Sequence, residues 1–155
     1  VAHQWWYGLV GNDQIHAPWL DEGLTEYSTI LYYYNRFGQD MGEKKYKELI
    51  AKGKYGIYKA LKDEESTDET IDRPLYEFRN WLEYDALVYG KGAMMFHHMR
   101  ESMGDETFFK MLNGYLKDNW LENAQPKDLQ RKCEEATGES WGNFFKNWLS
   151  DGATP

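Results

Sequence analysis

His3 and Glu22 are the residues whose types and spacing first point to chemistry, with eighteen residues between them. An imidazole nitrogen and a carboxylate oxygen both bind zinc well, and two histidines with one glutamate commonly hold a catalytic zinc. The usual first half of such a site is H-E-x-x-H on one helix, its histidines on one face and its glutamate serving as general base. The chain begins Val1-Ala2-His3, so a His-Glu pair set before Val1 would make the string H-E-V-A-H-Q-W-W. Glu22 sits within Trp19-Leu20-Asp21-Glu22-Gly23. Taken singly, an acidic residue near a helix start is an ordinary partner of the helix dipole, and a histidine before two tryptophans is an ordinary core or surface residue. The shared spacing favours ligation.

H-E-x-x-H followed eighteen residues later by the Glu of W-L-D-E-G resembles the gluzincin aminopeptidases of the alanyl aminopeptidase type. Two further stretches carry the resemblance. Val88-Tyr89-Gly90-Lys91-Gly92-Ala93 is similar to the Y-x-K-G segment that bears that family's catalytic tyrosine, and F-F-K-N-W-L-S-D-G-A-T-P, from Phe144 to Pro155, is similar to the close of its catalytic domain. The resemblance spans Val1 to Pro155, specific in its motifs and loose between them. It implies an all-α fold: the helical lobe of a thermolysin-like metallopeptidase catalytic domain, with the sheet-bearing half upstream.

The resemblance also implies roles. His3 and Glu22 become ligands of a zinc ion (Zn2+), the third ligand and the general-base glutamate lying before Val1. Zinc of this kind lowers the pKa of bound water to about 7, and the base carries the water's proton to the leaving amine. Tyr89 becomes the phenol donor to the oxyanion, a kind of contact worth roughly 3 kcal/mol; a core tyrosine on a helix face is the alternative. Glu26, one turn beyond Glu22, is a candidate for the outer carboxylate that fixes a ligating imidazole's tautomer, with a plain solvent-facing glutamate as the alternative. Gly90, Lys91 and Gly92 read as scaffold, the glycines permitting close helix approach. His16, His97 and His98 lack matching spacing and read as structural or exposed.

The expected activity is therefore hydrolysis of peptide substrates by a zinc aminopeptidase, of which this chain is a part and by itself inactive, with weak or absent zinc binding. Family members trim amino-terminal residues through an acidic motif upstream of the zinc helix, outside this sequence. The alternative from another class is a non-catalytic helical binding module, a pseudo-peptidase. A His-Glu pair before Val1 would separate the two.

With 155 residues the chain has enough length for one domain and a real core. A start at Val rather than Met leads us to expect an excised domain or processed fragment. A net charge of −8 without a basic cluster makes nucleic acid and anionic membranes poor partners. The single cysteine, Cys133, excludes an internal disulfide, and no apolar run reaches the roughly 18 residues of a membrane span. Aromatics make up 17% of the residues. They fall mostly at helical spacing, which favours a core and cleft of large rings over a carbohydrate-binding surface.

Periodicity and turn signals predict about seven helices in a single helical unit over 1–155, and no strand. The first is the end of a helix over residues 1 to about 12, stopped by Gly11-Asn12-Asp13. The others cover about 18–36, ending at Gly38; about 40–62, with Gly53 and Gly56 as dividers; about 82–103; about 105–119; Pro126 to Gly138; and a last one capped by Ser140 and closed at Gly152. Residues 63 to 80 read as a long acidic loop, either a solvated connector or a border of the substrate cleft. The face around Trp5 and Trp6 is expected to be exposed and to drive dimerisation.

Overall fold

The computed structural model describes residues 1–62 and 68–150. These hold eight α-helices: α1 (Trp19–Phe37), α2 (Gln39–Lys45), α3 (Tyr55–Lys62), α4 (Trp81–Tyr84), α5 (Gly92–Met103), α6 (Asp105–Asp118), α7 (Pro126–Thr137) and α8 (Gly142–Leu149). Two π-helical stretches connect neighbouring helices: Asp85–Lys91 joins α4 to α5 in one rod, and Tyr46–Lys54 links α2 to α3 across a kink at Gly53. The fold is all-α, with six of the seven expected helical rods in place.

The longest helix, α1, lies at the centre. Leu20, Leu24, Tyr27 and Ile30 recur every three or four residues and are all buried, so one stripe of the helix faces the interior. That stripe packs against α5, whose Ala93, Phe96 and Met99 are buried in turn, each larger side chain contributing about 1.5–3 kcal/mol. The two helices touch backbone to backbone. A Cβ added to Gly23 would lie 3.0 Å from the carbonyl carbon of Gly92, and one added to Gly92 would lie 3.2 Å from Gly23 Cα. This crossing sets Glu22, one residue before Gly23, beside the π stretch that precedes Gly92. Helix α1 stops at Gly38, whose φ of 85° suits glycine.

Four expectations are corrected. Residues 1–12 are not the end of a helix: a 3-10 turn covers Ala2–Gln4, and Tyr7 takes φ 100°. A segment so short fixes many dihedrals for few hydrogen bonds, and its rings find partners on α1 and α6 instead. Strands do occur among the described residues, because β1 (Gly11–Asn12) pairs in parallel with β2 (Asn123–Ala124); two residues are too few for an alternating pattern to be read. The last helix ends at Leu149, with Trp141 rather than Ser140 at its start and no side-chain cap; Gly152 lies outside the described residues.

The fourth correction concerns the acidic connector. Its residues 63–67 lie outside the described residues; from 68 onward it is anchored at Glu69, Ile71 and Arg73, which are buried, while much of the rest stays exposed. Ile71 is fully buried, and its amide donates to Leu149 O at 3.0 Å. Trp19 Nε1 donates to Asp72 Oδ1 at 2.8 Å. Buried Lys91 donates to Glu69 O at 2.7 Å, and the Tyr58 hydroxyl donates to the Glu69 carboxylate. Lys91 is thus scaffold, as its place beside the glycines implied. The helix expected over 40–62 is divided at Gly53, whose ψ of −112° leaves the helical range; Gly56 stays within α3.

Candidate metal and catalytic site

The 3-10 turn carries His3 towards the first turn of α1, which holds Asp21 and Glu22. His3 Nδ1 lies 3.1 Å from the carbonyl oxygen of Trp6. A carbonyl can only accept, so in the neutral ring Nδ1 carries the proton and Nε2 is a bare lone pair. Nε2 stands 2.9 Å from Glu22 Oε2, yet that buried oxygen makes no hydrogen bond in the described residues. With the ring neutral, two lone pairs face each other at close range, whereas protonation of Nε2 would turn the same contact into an ion pair. A nitrogen and an oxygen so placed fit a cation that accepts both, and the pair matches the His and Glu share of a zinc site.

Asp21 completes a group of three whose potential ligand atoms lie within 4.8 Å of one another. Its own oxygens are occupied: Asn12 Nδ2 donates to Oδ1 at 3.0 Å and Gln14 Nε2 to Oδ2 at 2.8 Å. Oδ2 lies 3.9 Å from His3 Nδ1, behind the ring. Asp21 thus lies near the far side of the imidazole without a hydrogen bond to it, the nearer Nδ1 partner being the Trp6 carbonyl. Sequence reasoning passed over it, because an aspartate in a helix's first turn reads as a dipole partner; its only signal was adjacency to Glu22.

Tyr89 lies in the π stretch, where i→i+5 bonding widens the turn, a feature frequent at functional sites. Burial, together with the Glu22 carboxylate that its hydroxyl faces, holds its pKa far above the ordinary phenol value. The group remains a protonated donor at neutral pH. Its ring packs edge-on against Tyr84, centroids 5.7 Å apart, and next to exposed Trp81 at 6.3 Å.

Glu26 lies one turn beyond Glu22 and faces Lys54, whose Nζ is 4.0 Å from Oε2. Burial raises its pKa, with Lys54 opposing the rise. The structure thus brings His3, Glu22 and Tyr89 together and sets Glu26 at the edge of the group. The other histidines lie apart. His16 pairs with Asp13 at 2.7 Å on the surface. His97 is buried and stacks on Tyr46 at 3.9 Å, and His98 packs against Trp148.

Beyond His3 the turn lays Trp5 and Trp6 over α1 and α6. Trp6 is half-buried and donates from Nε1 to Ser28 Oγ at 2.8 Å, while Trp5 remains 45% exposed. Between them and α6 opens a groove of about 1050 Å³, walled by Leu31, Tyr32, Phe109 and Leu116 among others.

A family profile described as "Peptidase family M1 domain" matches residues 1–148. Aminopeptidase N of Lactococcus lactis subsp. lactis is 26% identical over 160 residues, which cover 100% of this chain and 18% of the relative. Probable aminopeptidase 1 of Saccharolobus solfataricus is 27% identical over 160 residues, covering 100% of this chain and 19% of the relative. The chain therefore spans about a fifth of the length of these curated relatives. Among solved structures, an M1 zinc metallopeptidase from Deinococcus radiodurans superposes with a TM-score of 0.71 at 22% identity, covering 99% of this chain and 32% of that one. A variant of it bound to a Tyr-Ser-Ala substrate gives 0.72 at 21% identity, with the same coverage.

Proposed function

This chain belongs to peptidase family M1, and on that premise we propose that it supplies the helical lobe and part of the zinc site of an aminopeptidase. The observation that carries the reading is the pair of facing lone pairs on His3 Nε2 and the orphaned Glu22 Oε2, 2.9 Å apart. His3 and Glu22 would hold the metal with one further protein ligand from outside residues 1–155. When bound, zinc polarises the scissile carbonyl and makes water a competent nucleophile at neutral pH. The chain's own residues do the rest of the work proposed here. The Trp6 carbonyl keeps the His3 proton on Nδ1, leaving Nε2 free. Tyr89, protonated at neutral pH, turns its O–H from Glu22 to the oxyanion that forms as the carbonyl is attacked. The substrate class is peptides with a free amino terminus, in keeping with the named activity of the curated relatives.

Among the described residues His3 and Glu22 supply two of the three protein ligands usual in catalytic zinc sites, so residues 1–155 on their own should bind zinc weakly and show no hydrolysis. Calorimetric zinc titration tests this on three forms: the chain itself, the chain preceded by His-Glu, and the latter carrying His3→Ala. The extended form should bind at least 10-fold tighter than the chain itself, and His3→Ala should abolish the gain, since even an outer partner of a ligand is worth about 10–100-fold. Equal affinities in all three would remove His3 from the metal site.

A further inference from the structure

Among the described residues Lys54 is the one charged side chain that touches both the ring of Tyr89 and the carboxylates around it, and no spacing in the sequence points to it. Its Nζ stands 4.4 Å from the Tyr89 ring centroid. The same ammonium pairs with Asp85 Oδ1 at 2.7 Å and lies 4.0 Å from Glu26 Oε2. The backbone fixes its position from below. Lys54 ends the first π stretch directly after the break at Gly53. Its carbonyl group abuts Gly90 so closely that a Cβ there would lie 2.7 Å from both carbonyl atoms. The two π stretches are thus pressed together beside Tyr89, and each supplies one half of a cation–π contact.

We infer that Lys54 is a positioning residue for Tyr89: its ammonium, anchored by Asp85 and Glu26, holds the phenol ring in the orientation that presents its hydroxyl to the reacting carbonyl. The inference rests on the role proposed above for Tyr89. An ammonium over a ring face attracts the ring quadrupole. The pairing with Asp85 and the approach of Glu26 restrict where that ammonium can sit, so ring and charge are held together. Asp85 and Tyr89 are four apart on one π stretch, so the anchor and the ring it serves are set by the same segment.

The test uses the full-length zinc-loaded polypeptide that carries this segment. Lys54→Met, which keeps the length and removes the charge, should lower kcat roughly 3- to 30-fold. KM should change less than about twofold, zinc content should be unchanged, and Lys54→Arg should restore most of the loss. In a Tyr89→Phe background Lys54→Met should lower kcat no further. With 13C-labelled tyrosine, the ring signal missing from Tyr89→Phe should shift in Lys54→Met and return towards its place in Lys54→Arg. Should Lys54→Met fail to fold, Lys54→Gln, which can still donate to Asp85, carries the same expectations. An equal loss in both backgrounds, or an unmoved Tyr89 signal, would overturn the inference while leaving Tyr89 its role. If Tyr89→Phe alone leaves kcat unchanged, the role of Tyr89 fails, and that of Lys54 falls with it.

Discussion

Replacing Gly23 by Ala tests whether the touching backbones of α1 and α5 govern both stability and the site. A glycine inside a helix costs about 0.8–1.0 kcal/mol relative to alanine, so the substitution would stabilise a helix with room for a methyl group. Gly23 has none: its Cβ would meet Gly92 atoms at 3.0, 3.1 and 3.3 Å, all of them backbone. Backbone cannot rotate aside, so the helices must part, and overpacking of this kind costs about 1–3 kcal/mol. Gly114, inside α6, is the control. A Cβ there would meet only the flexible Lys132 side chain, nearest at 3.6 Å. Gly114→Ala should therefore stabilise by about 0.5–1 kcal/mol. Because the propensity gain is common to both variants, their difference, about 1–3 kcal/mol, isolates the steric effect. Urea unfolding followed by circular dichroism measures it directly, and thermal melts should separate by about 2–4 °C per kcal/mol. In the His-Glu-extended chain, Gly23→Ala should also weaken zinc binding while Gly114→Ala does not. If both variants gain stability alike, the close crossing does not exist in solution, and the argument that it sets Glu22 beside Tyr89 is refuted.

Tyr89→Phe in the full-length enzyme should lower kcat about 100-fold with KM little changed, the effect of losing one oxyanion donor; a kcat within twofold of the parent's would exclude that role. The chain should keep its helical circular dichroism in EDTA, because its apolar stripes do not depend on metal as a zinc finger's fold does; loss of helix on chelation would contradict the core described above. Burial pushes the Cys133 thiol up to about 12 from 9.0. Its folded pKa exceeds its unfolded one, so the associated stability is fully present below about pH 9 and is lost as pH rises towards 12. Stability should fall over that window, less steeply in Cys133→Ala, and at pH 8 iodoacetamide should modify the folded chain at least 10-fold more slowly than the urea-unfolded one. Equal alkylation rates would show that the thiol is not buried.

Where the sequence repeats a pattern, the fold was legible in it. The helix expected over about 18–36 is α1, and Gly38, Pro126 and Gly138 marked helix ends that the structure keeps. Ligand type and spacing singled out His3 and Glu22, and the structure sets them 2.9 Å apart with the Tyr89 hydroxyl facing Glu22; the roles proposed for them rest on that proximity. What escaped depends on tertiary contact. The pairing of Gly11–Asn12 with Asn123–Ala124 has no local signature. The nine charged residues among the eighteen from 63 to 80, seven of them acidic, suggested solvent, yet Glu69 and Arg73 are buried because Tyr58, Lys91, Asp68 and Glu83 lie waiting for them. Asp21 and Lys54 act through partners distant in sequence or hidden by adjacency, which no spacing rule reports.

The small parallel pairing of β1 with β2 bears on the order in which the molecule assembles. It joins the chain's beginning to a segment beyond α6, reinforced by Leu121 N–H donating to Leu9 O at 2.6 Å and Gly11 N–H to Glu122 O at 2.9 Å. Closing so long a loop carries an entropic cost that must be met before the few hydrogen bonds form, so this tie should form late, after neighbouring helices such as α6 and α7 have paired. His3 lies outside the tie, on its amino-terminal side. The proposed metal seat, which needs His3, should therefore be completed late, on a scaffold already folded. It is also the part that can open first, by local fraying that leaves the α1–α5 core closed. Zinc should leave the assembled enzyme at the rate of that opening. Amide hydrogen exchange at Leu9, Gly11 and Leu121 would then speed up and slow down together with metal release.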